Sequence, residues 1–296
     1  EGMTRAMGTV GMTYRYPFVA ASSFGSHIFE PIVQVISRPD ETNIGNLPNE
    51  DSQSLVFDET NLFSVDKYTG YDRVEGGTRA NYGAQYSLAL SNGAHANMLI
   101  GQSVQISGIN SYAQRGLALE GTDSGLDKTT SDYVSRVQFV PSTNYSFTAR
   151  GRFDSEELYS KRLELESRTT IGSFSSNLIY ANYAAQPNVG ISNRREGLGV
   201  GAGYRLTPNW SISGNMLFAL SRYLSDPALP RTYMAAYSAT AAYHDECTDL
   251  LISYIGREPY ATGTTTQDQT IFLRLTLRSL GSIETKKEVG DFAGQQ

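Results

Sequence analysis

The residues best equipped for chemistry lie in Arg162–Arg168, where Arg162, Glu164, Glu166 and Arg168 recur at every second position. Two carboxylates at that spacing could act as a general acid and base, but the flanking guanidinium groups favour both staying ionised. The four read equally well as a ladder of ion pairs or as polar contacts for a ligand. His27, His95 and His244 stand apart from any Ser, Cys or carboxylate in a nucleophilic motif. No HExxH, CxxC, GxSxG or phosphate-cradling loop occurs. The stretch Gly197–Gly203 (GLGVGAG) has glycines on one strand face and Leu198, Val200 and Ala202 on the other. Close approach of a neighbouring side chain explains it better than a dinucleotide does. Neither catalysis, nor a cofactor, nor a metal is expected.

The one cysteine, Cys247, cannot close a disulfide within the sequence. It is either a free thiol packing as a small hydrophobe or half of a bridge to a region outside this sequence.

The elements that must position these groups have a period of two. In Trp210–Ser221, Trp210, Ile212, Met216, Phe218 and Leu220 share one face and Ser211, Ser213, Asn215 and Ala219 the other, with Leu217 as an exception. In Asn144–Phe153, Tyr145, Phe147, Ala149 and Phe153 alternate with Ser146, Thr148, Arg150 and Arg152. Such alternation predicts strands with one apolar and one polar face. About thirteen segments follow from the turn signals: 8–16, 29–37, 80–92, 95–106, 131–140, 143–153, 158–169, 172–183, 196–206, 209–221, 232–243, 246–257 and 268–279. From residue 80 their connections alternate. Tight turns at 92–94, 141–143, 170–171, 207–208 and 244–245 alternate with links 107–130, 154–157, 184–195, 222–231 and 258–267, of which 154–157 is shorter than the pattern predicts.

No run of about 18 apolar residues exists to make a membrane helix, but a spanning strand needs only about 9–11. Short turns at one end and long loops at the other describe an outer-membrane barrel, with the short turns periplasmic. The composition, with 19 Tyr and 28 Gly among 296 residues, suits aromatic girdles and close strand packing. The net charge of −6 argues against a nucleic-acid partner. A soluble β-sandwich or solenoid, with the apolar face as its core, is the alternative.

Magnitude decides which face meets lipid. An Arg at mid-bilayer costs about 2–4 kcal/mol, so turning 143–153 over would expose Arg150 and Arg152 together. The polar face therefore lines a lumen carrying Arg136, Gln138, Arg150, Arg152, Arg162, Glu164, Glu166, Arg168, Arg274 and Arg278. The segment Leu62–Gly77 is long for a surface loop. Phe63, Tyr68, Tyr71, Asp72 and Arg73 are expected to fold it into the lumen, Asp72 and Arg73 meeting opposite charges there; the alternative is a solvated extracellular loop in which Asp72 and Arg73 do nothing specific. The expected architecture is an all-β antiparallel transmembrane barrel segment over 1–285, the C-terminal half of a larger barrel, with a short polar tail at 286–296. The chain is expected to begin in mid-domain and not to fold alone.

Two stretches go beyond a generic barrel. NLPNEDSQSLVFDETNLFSVDKYTGYDRVEGG (46–77) and the closing IFLRLTLRSLGSIE with its preceding Asp245-Glu246-Cys247 resemble the C-terminal barrel of the LPS-assembly outer-membrane protein LptD, the organic solvent tolerance protein family. The resemblance spans about residues 8–285. It implies a non-enzymatic translocon for lipopolysaccharide, with a plug lipoprotein inside the barrel. It also implies periplasmic LPS-bridge proteins acting through an N-terminal domain, and a lateral gate into outer-membrane lipid. The gate strand is expected at 268–279, with Ile271, Leu273, Leu275 and Leu277 and no partner strand after it. Cys247 is expected to bridge to a periplasmic domain, although relatives carry two adjacent cysteines where this chain has one. The alternative functions are a passive porin, an outer-membrane lipase or protease, and an adhesive barrel.

Overall fold

The computed structural model describes residues 6–42, 48–52, 55–114, 121–220, 232–257, 268–278 and 280–288. Among them the chain forms fifteen strands and two single 3-10 turns. The strands are β1 (Val10–Arg15), β2 (Phe18–Ser22), β3 (Gly25–Arg38), β4 (Gly77–Leu90) and β5 (His95–Ser107). They continue as β6 (Tyr133–Ser142), β7 (Tyr145–Phe153), β8 (Ser160–Ile171), β9 (Phe174–Tyr183) and β10 (Arg195–Arg205). The last five are β11 (Trp210–Leu220), β12 (Thr232–His244), β13 (Thr248–Arg257), β14 (Asp268–Leu277) and β15 (Gly281–Glu288). Sheet order follows chain order from β3 to β15, with β1 and β2 both on the outer side of β3.

The two strands beyond the expected thirteen have physical causes. β1 and β2 keep one register along β3, from Arg15↔Ile32 to Phe18↔Phe29, and are interrupted only at Tyr16–Pro17. Pro17 has no N–H to give the ladder, and neither does Pro31, whose carbonyl accepts from Tyr16 N at 3.4 Å. β15 turns back through Gly281, with φ +112, and pairs with β14 from Leu277↔Gly281 to Thr270↔Glu288. The expectation that 268–279 ends the sheet unpartnered is thereby corrected: β14 is bonded on both sides. The hydroxyls and charges of β15 conceal its period, which is why the sequence read it as the close of a strand and the start of a tail. Residues 286–288 belong to this strand; 289–296 lie outside the described residues, as do the links 222–231 and 258–267.

Burial runs opposite to that of a soluble sandwich. Phe139, Tyr145, Phe147, Leu165, Leu178, Ile212, Met216 and Ile252 are exposed, whereas Gln34, Asn81, Gln102, Ser103, Arg79, Asp132 and Arg152 are buried. Water-soluble folds bury their aliphatic residues and expose their charges. A sheet with an apolar outer face and a hydrogen-bonded polar inner face fits a hydrocarbon surround.

The short turns interlock. Ser91 N donates to Phe24 O, Thr170 N to Asn144 O, Arg205 N to Ser173 O, His244 N to Asn209 O and Arg278 N to Cys247 O, at 2.8–3.0 Å. Each pairs neighbouring hairpin tips at the same end of the strands. The chain divides into two compact units, the first comprising Glu1–Pro141, Thr148–Glu164 and Tyr183–Asn193, the second Ser142–Phe147, Leu165–Asn182 and Arg194–Gln296.

Candidate functional site

In the first unit, the polar inner face of β3–β8 is covered by the links 39–76 and 108–132. β3 and β4 pair directly, Arg38↔Gly77, so the whole of 39–76 is an insertion between adjacent strands. Its apolar residues meet those of the second link and of β6: Phe57, Leu62 and Tyr68 form a buried cluster with Tyr112, Leu126 and Val134, with Leu55 and Phe63 against it. The rings of Tyr68 and Tyr112 meet tilted by 35° with centroids 4.7 Å apart, and Tyr68 donates its hydroxyl to Ser111 O at 3.1 Å. The space above Gly101 is what admits Leu62, since a Cβ there would lie 2.4 Å from Leu62 Cδ2.

Below this cluster lies a buried ionic layer joining insertion to wall. Arg79 Nε lies 2.6 Å from Glu75 Oε1, Lys67 Nζ 3.8 Å from Glu75 Oε2, and Arg38 Nη1 3.5 Å from Asp66 Oδ2. Lys67 also donates to Asn81 Oδ1, which accepts from Ser103 Oγ, while Asn81 Nδ2 donates to Gln34 Oε1. Burial pulls the Lys67 ammonium down to about 8, against the attraction of Glu75. Burial likewise raises the Asp66 carboxyl.

A second ionic cluster ties the hairpin tip of β7–β8. Asp132 Oδ1 lies 2.8 Å from Lys161 Nζ and Asp132 Oδ2 3.3 Å from Arg152 Nε; Lys161 also reaches Asp154 at 2.9 Å. Asp154 Oδ1 accepts from Glu156 N and Glu157 N, and those bonds hold its carboxyl far below the usual range. The link between β7 and β8 runs over 154–159, two residues longer than expected, and Asp154 caps it.

Between these clusters, a turn at Val56–Asn61 presents Glu59 to the wall. Asp58 Oδ1 accepts from Thr60 N, Asn61 Oδ1 accepts from Asp58 N, and Asn61 Nδ2 donates to Val56 O. Glu59 Oε1 lies 3.3 Å from Arg150 Nε, and burial raises its carboxyl although Arg150 and Arg136 both act to lower it.

The lumen candidates take these places. Arg136 is half-buried and donates to Asn97 Oδ1 at 2.9 Å; Gln138 is half-buried between exposed Val137 and Phe139. Arg162 pairs with Glu164 at 2.7 Å and lies 5.0 Å over the Tyr183 ring, and Tyr183 donates its hydroxyl to Glu164. Arg150, Arg162 and Glu164 border a cavity of about 10 Å³ with Asp58 and Glu59. In the second unit, Arg168 pairs with Glu166 and Arg274 approaches Glu284 at 3.9 Å. Arg278 lies 3.7 Å from Asp249, which also pairs with His244. Tyr180 donates to Glu196, and Arg194 to Asn182.

The insertion candidates differ in burial. Phe63 is half-buried and Arg73 fully buried, but Tyr71 is 86% exposed. Asp72 Oδ2 accepts from the backbone N–H groups of Glu50 and Asp51. Arg73 donates to the carbonyls of Pro48 and Asp72. Both residues thus have bonds within their own loop. Sequence reasoning missed Glu59, Glu75, Arg79, Asp132 and Lys161. Nothing local marked these pairs, since Glu75 lies in irregular chain before β4 and Asp132 and Lys161 meet only through the sheet.

Cys247 is exposed at the turn between β12 and β13, where Asp245 Oδ1 accepts from Cys247 N and Thr248 N and is held below the usual carboxylate range. The segment 268–277 presents Ile271, Leu273, Leu275 and Leu277 on the face shared with Ile252 and Ile283.

A family model described as LptD, LPS transport system D, matches residues 1–210. The chain is also 28% identical over 257 residues to the LPS-assembly protein LptD of Vibrio cholerae serotype O1 (strain ATCC 39315 / El Tor Inaba N16961). The match covers 79% of this chain and 31% of that protein, so the chain spans about a third of its relative's length.

Proposed function

Because the chain belongs to the LPS transport system D family, we propose that it is part of an outer-membrane barrel passing lipopolysaccharide from the periplasmic side to the outer leaflet. The observation that carries this reading is the inversion of burial, with an apolar outer face and a charged, hydroxylated inner one. The saccharide moves along the inner wall, where arginines and carboxylates replace its water by charge-assisted hydrogen bonds. The acyl chains leave sideways through a seam between strands. The strands β13–β15, with Ile271, Leu273, Leu275 and Leu277 turned outward, stand at one side of that seam. Nothing in the inner wall requires a reaction; the work is conduction and opening, not catalysis.

A lipoprotein plugs the barrel, and periplasmic bridge proteins deliver cargo through an N-terminal domain. The interlocked short turns form the periplasmic rim, and exposed Cys247 on that rim bridges to a periplasmic domain.

Photo-crosslinking in the intact parent protein tests the path. A photoreactive residue at Gln138 or Arg168, facing inward, is expected to capture lipopolysaccharide during transport, whereas one at Leu165, facing lipid, marks the background. Equal yields at all three positions would favour a passive porin.

A further inference from the structure

The inner wall carries a row of alternating charge: Arg136, Glu59, Arg150, Glu164, Arg162. Four members belong to the strands β6, β7 and β8, whereas Glu59 is supplied by the insertion. It reaches the wall from a turn whose backbone is fixed by Asp58 and Asn61, so only its side chain need move to vacate the position.

The guanidinium of this contact is more open than those of the buried pairs beside it. Arg150 keeps about a third of its side chain exposed while Glu59 is enclosed, so an approaching solute reaches the guanidinium before the carboxylate. Glu59 Oε1 lies 3.3 Å from Arg150 Nε without a well-aligned hydrogen bond, as do Glu75 Oε1 against Arg79 Nε and Asp132 Oδ2 against Arg152 Nε. The adjoining cavity of about 10 Å³ has room for about one water, bordered by Arg150, Arg162 and Glu164. Burial also costs the Glu59 carboxylate more than Arg150 and Arg136 return, which leaves it weakly held.

We propose that Arg150, flanked by Arg136 and Arg162, is a subsite for phosphate groups on the saccharide of the cargo, and that Glu59 occupies it as an internal counter-anion until such a group displaces it. A phosphate offers three oxygens to a planar fork of donors, one more than a carboxylate does. On displacement Glu59 swings toward water, which lowers the cost of its charge. The exchange keeps Arg150 neutralised in both states, so cargo passes without an uncompensated charge on the wall. This inference rests on the transport reading above.

The test uses the full parent protein in its native envelope, with a photoreactive residue at exposed Thr60, beside Glu59. Glu59→Gln is expected to raise the lipopolysaccharide adduct at Thr60 several-fold, and adding Arg150→Gln to return it to the parent level or below. Glu59→Asp, which keeps the charge but withdraws it, gives a smaller rise and serves if Glu59→Gln fails to show the heat-modifiable mobility of a folded barrel. In detergent-purified parent protein, inorganic pyrophosphate competes with the Thr60 adduct while chloride at equal ionic strength does not. An unchanged or lower yield with Glu59→Gln, while adducts persist at Gln138, overturns the subsite and leaves the transport reading standing. No adduct at Thr60, Gln138 or Arg168 overturns both.

Discussion

Arg79 Nε sits 2.6 Å from Glu75 Oε1, with both side chains almost wholly enclosed. Glu75 ends the insertion and Arg79 belongs to β4, so this pair fastens the inserted segment to the barrel wall. Hydrogen bonds from Arg79 to Ser103 and Asn110, at 3.4 and 3.0 Å, extend the fastening to β5 and to the second link.

Removing one partner of a buried pair leaves the other charge uncompensated, at a cost of about 3–5 kcal/mol. Arg79→Ala is therefore expected to loosen the insertion. Chymotrypsin cleavage around Tyr68 in the folded parent protein should accelerate markedly, and unchanged kinetics would show that the apolar cluster suffices to hold the segment.

Lys67 gives the segment a pH dependence. Its folded value of about 8 lies below the ordinary 10.5, so between those values the folded state holds fewer protons than the open one. Stability of the segment accordingly rises with pH through that window, by at most about 3 kcal/mol, and the full cost of the buried charge is present below pH 8. Hydrogen exchange of 62–77 across that range reads the effect. Lys67→Met should flatten the slope; a slope that survives the substitution assigns it to another group.

Apolar truncations should separate the two faces. Leu62→Ala removes a fully buried side chain from the inner cluster and is expected to cost about 2–5 kcal/mol. Leu165→Ala alters only the lipid-facing surface and should change thermal stability far less, whereas Leu165→Arg should cost up to about 2–4 kcal/mol. Equal effects of the two alanine substitutions, measured by unfolding in lipid vesicles, would contradict the assigned outer face.

Cys247 reports the side of the short-turn rim. An impermeant maleimide should not label it in intact cells. Labelling is expected after the outer membrane is permeabilised and reductant is added. Labelling of intact cells would place the rim at the cell surface, and labelling of permeabilised cells without reductant would remove the disulfide.

Alternation in segments such as Trp210–Ser221 and Asn144–Phe153 made the strands and their two faces legible, because a pleated chain puts successive side chains on opposite sides whatever surrounds it. The cost of arginine in hydrocarbon then decided which face looks outward. The alternation broke down at Pro17, where the ladder loses a donor, and along β15, where hydroxyls and charges occupy both faces. The insertion was readable as long and aromatic-rich, but its anchor to the wall was not: no local spacing marks Glu59, which reaches Arg150.

What the sequence by itself determined is a sheet of antiparallel hairpins with an apolar and a charged face, since that follows from residue order and solvation cost. What only the tertiary structure decided is which charges neutralise which. Asp132 meets Lys161, Glu59 meets Arg150 and Leu62 meets Gly101 because sheet register and the path of two long links bring distant residues within a few ångströms, and no local spacing encodes that distance.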